Sequence, residues 1–102
     1  MPPTDSVDGT RGYFFSKDGQ PAFEVDVWPL QGEWGIRIRE VGSGPIAIEP
    51  GGADVHKEPT EGEAKRWAQG YLQENRASLL SPSYQPLWEP LHYNLDGTPA
   101  LL

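Results

Sequence analysis

The chain has 102 residues, 15 acidic side chains against 8 basic ones for a net charge of −7, 36% hydrophobic residues and no cysteine. That length suits one modest core, and the missing thiols exclude disulfide frameworks, cysteine-zinc sites and thiol catalysis. The acidic excess counts against general attraction to DNA, RNA or anionic membrane, and no window approaches the roughly 20 apolar residues of a membrane helix.

Residues 1–11 are polar and aperiodic, opening on Met1-Pro2-Pro3-Thr4-Asp5 without the basic region or apolar stretch of a signal peptide. A flexible N-terminal arm on a cytoplasmic protein is expected. Tyr13-Phe14-Phe15 then forms a short aromatic run, stopped by Ser16-Lys17-Asp18-Gly19-Gln20, where Asp-Gly signals a hairpin. Phe23, Val25 and Val27 alternate with Glu24, Asp26 and Trp28, the period of a strand with one apolar face. After a turn at Pro29-Leu30-Gln31-Gly32 the alternation repeats, with Trp34, Ile36 and Ile38 on one face and Arg37 and Arg39 on the other. Antiparallel pairing of these two strands sets Glu24 and Asp26 opposite Arg37 and Arg39.

Ile46-Ala47-Ile48, flanked by Pro45 and Pro50, is expected as a short fourth strand at an edge, and that edge could pair with its counterpart in a homodimer. Residues 49–59 read as an irregular loop. The next element carries the clearest signals: Thr60-Glu61-Gly62-Glu63 fits a capping box, and Ala64, Trp67, Ala68, Tyr71, Leu72 and Leu79 recur at helical spacing. Pro82 ends this helix near Leu80. Gly70 in its middle either weakens it or admits a close approach to the sheet. Residues 81–102 hold four prolines, which argue against a central strand, yet Tyr84, Leu87, Trp88, Leu91, Tyr93 and Leu95 are too apolar for a solvated tail.

Catalytic and metal chemistry find little to use. His56 lies near Asp54, Glu49 and Glu58, but no spaced His or Cys set accompanies it, so a solvated loop is the expectation. The serines lack a nucleophile-elbow context, and Gly51-Gly52 and Gly42-Ser43-Gly44 lack the partners of a phosphate-cradling or dinucleotide loop. No cofactor is expected. Trp34 and Trp67 fall on apolar faces, whereas Trp28 shares the outer face with Glu24 and Asp26, and Trp88 sits in the tail. Either the tail folds back over Trp28, or these rings form a partner surface.

The expected architecture is α+β: an antiparallel meander of three to four strands packed by one long helix over residues 12–80, followed over residues 81–102 by a Pro/aromatic-rich tail that packs along the sheet edge or binds a partner. This layout is similar to that of small nucleic-acid-binding domains, including the arm-binding domains of phage integrases. Trp34-Gly35-Ile36-Arg37-Ile38-Arg39 and the later Pro59-Thr60-Glu61 carry the likeness, without a diagnostic motif. Layout does not carry function, so no family is assigned. The expectation is a small acidic, non-enzymatic protein-binding module: an adaptor, regulator or assembly subunit. Its candidate partner residues are Trp28, Arg37 and Arg39 on the outer face and Tyr84, Trp88 and Tyr93 in the tail. Two alternatives are an acidic inhibitor that occupies the basic nucleic-acid groove of a target, and a weak sheet-face nucleic-acid binder.

Overall fold

The computed structural model describes residues 6–100. Its strands are β1 (Val7–Phe15), β2 (Pro21–Leu30), β3 (Glu33–Glu40), β4 (Gly44–Pro45), β5 (His56–Glu58) and β6 (Leu87–Tyr93), with one helix, α1 (Glu61–Asn75), and a 3₁₀ turn over Ala77–Leu79. The strands make one antiparallel sheet in the order β4-β3-β2-β1-β6, with β5 pairing β3 beside β4. The protein is therefore α+β, as its patterning implies.

The β2–β3 register follows from the alternation. Val25 faces Ile38 and Val27 faces Ile36 on one side, while Glu24 faces Arg39 and Asp26 faces Arg37 on the other. A shift of one residue would send both apolar rows to solvent. The hairpin between β1 and β2 closes where expected, with the Gly19 amide donating to the Ser16 carbonyl at 2.9 Å and Gly19 in the left-handed region (φ 81).

Helix α1 packs over β2, β3 and β5. Ala64, Ala68 and Leu72 are buried at spacings of four, and the two small residues let the helix sit close to Phe23, Val25, Ile36 and Ile38. Thr60 caps the start, its hydroxyl accepting from the Glu63 amide at 3.1 Å. The helix ends at Asn75, five residues before the expected stop, because the chain tightens into the 3₁₀ turn.

Three expectations are revised by the sheet. Residues 1–5 of the expected arm lie outside the described residues, but Val7–Arg11 belong to β1. The Ile46–Ile48 strand is replaced by the two-residue β4, beyond which the Ile46 amide donates to Ile38 and the Ile48 amide to Ala53. The loop over 49–59 contains β5. The tail, for its part, supplies β6, an edge strand paired with β1.

Proline is tolerated in β6 because this is an edge strand. Ala100 donates to the outward-facing His92 carbonyl, so by alternation Pro90 also faces outward and the ladder to β1 loses no donor. The ring of Trp88 in turn covers Gly12 of β1, where a Cβ would stand 2.6 Å from the indole.

Candidate functional site

On the outer face, away from α1, Asp26 is fully buried. Arg11 approaches it bidentately, Nε to Oδ1 at 2.8 Å and Nη2 to Oδ2 at 3.2 Å, and Arg39 pairs with Oδ2. The Tyr93 hydroxyl donates to Oδ1 at 2.6 Å and lies 3.1 Å from the Thr10 carbonyl. Burial opposes the Arg11 charge, but the hydrogen bond and charge of Asp26, helped by Glu24, outweigh it and hold Arg11 more firmly protonated than usual. Burial first, then the Asp26 charge, pushes the Tyr93 phenol up. These groups bond to one another around a carboxylate that has no exposed surface.

Trp28 is 1% exposed, contrary to an outer-face ring waiting for a partner. The turn over Asn94–Thr98 folds across it, and Arg37 fixes that turn: its Nη2 donates to the Asp96 carbonyl at 3.2 Å and its guanidinium stands 5.1 Å from the indole centroid. A Cβ at Gly97 (φ 85) would lie 2.4 Å from the Trp28 ring, so only glycine permits this closeness. The indole Nε1 has no hydrogen-bond partner among the described residues. Arg37 also faces Asp54 at 3.5 Å.

The six sequence-derived candidates thus separate. Trp28, Arg37, Arg39 and Tyr93 converge, but in a largely internal network. Trp88 is on the other face, edge-on to Phe14 at 5.9 Å with the Lys65 ammonium 5.3 Å from its centroid. Tyr84 alone of the six is exposed, at 50%.

His56 is half-buried on β5 rather than free in a loop. Its ring stacks on Trp67 at 3.9 Å, Nε2 lies 2.6 Å from Glu58, and Nδ1 contacts Glu49. The two carboxylates occupy opposite ring nitrogens and cannot converge on one ion. Among the described residues no cluster of three His, Cys, Asp or Glu has the arrangement to hold a metal.

A cleft of about 440 Å³ opens beside Tyr84, between the β1–β2 hairpin, the C-terminal end of α1 and the segment entering β6. Phe14, Phe15, Leu80 and Tyr84 supply apolar surface, Gln69 and Gln73 stand one turn apart on the helix flank, and Lys17 and Gln85 lie at the mouth. Phe15 and Tyr84 hold each other with ring centroids 6.0 Å apart, and the Ser81 amide, donating to Phe15, anchors the segment. The chain matches no family model, no curated protein and no solved structure.

The cleft end of the sheet also collects exposed apolar side chains. Of the five large hydrophobic residues exposed among the described residues, Leu79, Tyr84 and Leu87 border the 3₁₀ turn and the start of β6, and Val41 follows β3 at the same end. Only Leu95 lies at the other end. Lone exposed apolar residues are ordinary; of the four at the cleft end only Tyr84 lines the cleft, and Leu87, paired with Tyr13, lies on the outer face of the sheet. The sequence signal that bears on this site is the Pro82-to-Pro86 stretch carrying Tyr84.

Proposed function

We propose that the protein is a small acidic, non-enzymatic protein-binding module, serving as an adaptor, regulator or assembly subunit, and that its docking surface is the cleft beside Tyr84. The concave apolar lining of this cleft by Phe14, Phe15, Leu80 and the exposed Tyr84 carries this reading. Tyr84 combines apolar area with a polar tip, the kind of side chain that anchors interfaces. Arg37, Arg39, Trp28 and Tyr93 are reassigned to holding the scaffold, since their contacts are internal. A photo-crosslinking residue at position 84 is expected to capture a partner in native extract, and one at Gln31, at the far end of the sheet, is not. Equal capture from both positions overturns the assignment.

The acidic-inhibitor reading keeps support from a separate observation. Arg11, Arg37 and Arg39 spend their charges on Asp26, Glu24 and Asp54, which leaves the basic residues little outward reach on the sheet. The same pairing weighs against phosphate binding on the sheet face. Steep loss of partner affinity with added salt favours the inhibitor, and weak salt dependence favours the apolar dock.

A further inference from the structure

Resting on the cleft as a protein-docking site, we infer that its occupant is an extended segment of a partner protein with an apolar side chain followed by a carboxylate. Three observations on the cleft point the same way. The side chains of Gln69, Gln73 and Gln85 line it and make no hydrogen bond among the described residues. A primary amide offers donors and an acceptor together, which is the complement of a peptide bond. An apolar small molecule has no use for three such groups, whereas an extended main chain does.

Lys17 is the only charged side chain lining the cleft, and it has no ion pair among the described residues. Its neighbour Asp18 is turned to the Ser16 hydroxyl, which holds the Asp18 carboxyl below the usual carboxylate range. Of the seven other cations, Arg11, Arg37, Arg39 and Lys65 face a carboxylate, and Lys57, Arg66 and Arg76, which do not among the described residues, lie outside the cleft lining. Lys17 is therefore the positive charge that the cleft presents, and a carboxylate is its complement.

The edge of β6 sets how far the segment can run. Two residues beyond Pro86, which lines the cleft, the backbone of Trp88 faces outward, and among the described residues no bond to a loop occupies it. One step further Pro90 has no amide to offer, and beyond it Ala100 already occupies the His92 carbonyl. Pairing along this edge stops after Trp88, so the occupant is a short extended segment rather than an added full strand.

The test uses the full chain, isotope-labelled for NMR, and three acetylated, amidated heptapeptides. They differ only in the residue after a central leucine: glutamate, glutamine or lysine. Titration is expected to shift the side-chain amide signals of Gln69, Gln73 and Gln85. The glutamate peptide should bind about fivefold more tightly than the lysine peptide, the scale of one exposed ion pair. Lys17→Glu, on an exposed turn, should reverse that order while leaving the remaining signals in place. Equal binding of all three peptides at the cleft, or an unchanged order in Lys17→Glu, overturns the carboxylate preference and leaves the docking site standing. Absence of any shift at millimolar peptide overturns the extended-segment occupant. In that case crosslinks from position 84 decide whether a folded surface docks there, and their absence removes the docking site as well.

Discussion

Asp26 has no exposed surface, and its stability rests on donors drawn from three strands: Arg11 from β1, Arg39 from β3 and Tyr93 from β6. Removing one partner of such a set leaves a buried polar group short of its bonds. Tyr93→Phe is expected to cost about 1–2 kcal/mol at neutral pH, read from urea unfolding. The same substitution has a second signature. The phenol of Tyr93 lies above its ordinary value of about 10 because burial and the Asp26 charge favour the neutral form. A raised folded value means the folded state holds the proton more tightly. Its contribution is complete below about pH 10 and is lost as pH rises above it. Stability of the parent protein should therefore fall in alkali, and Tyr93→Phe should make that fall shallower. Tyr13 shifts in the same direction, through burial and its bond to Glu89, so the slope is reduced rather than abolished.

Among the elements, α1 offers the simplest test. A Cβ at Gly70 meets nothing within 4 Å, so this glycine does not serve a close approach and only weakens the helix. Gly70→Ala is expected to raise stability by about 0.5–1 kcal/mol in the same unfolding assay. The turn over Trp28 gives the opposite sign. Thr98 hydrogen bonds hold the Asp96 carboxyl below the usual range, so their support is present at neutral pH and is lost as pH falls through that lowered value. Asp96→Asn should destabilise at neutral pH and have little effect in strong acid, with Trp28 fluorescence as the readout.

The elements also differ in how far their residues announce them. The alternation in β2 and β3, the Asp-Gly hairpin and the Thr60 cap are local patterns, and each stands where its residues put it. β1 is longer than its aromatic run because Gly9, which reads as part of the arm, and Gly12 are the bare positions under the rings of Tyr93 and Trp88. Pro90 disguises β6, and only its place at an edge makes the strand possible. Trp28 lies on the face that alternation assigns it, yet a segment nearly seventy residues later buries it, and no local signal carries that contact. The cleft is hidden for the same reason: Phe15, Gln73 and Tyr84 meet only after the sheet and helix are assembled.

At the scale of the molecule, the last strand completes the first. Without β6, Gly12 and Phe14 lose the cover of Trp88, Asp26 loses the Tyr93 hydroxyl, and Trp28 loses its turn. A chain truncated after Leu80 is therefore expected to lack cooperative unfolding or to be insoluble, rather than to persist as a stable helix-and-sheet unit. Calorimetry of the truncated and full chains distinguishes these outcomes. The dependence has a bearing on biosynthesis. Chain growth delivers β1, β2 and β3 early, and their hairpins need only local closure, whereas β6 pairs with residues more than seventy positions behind it. A nascent chain paused before Leu87 holds a buried-to-be carboxylate without its phenol and a strand edge open along β1. That intermediate is the form most available to chaperones and to mispairing with another growing copy, until the seven residues of β6 emerge and close the edge.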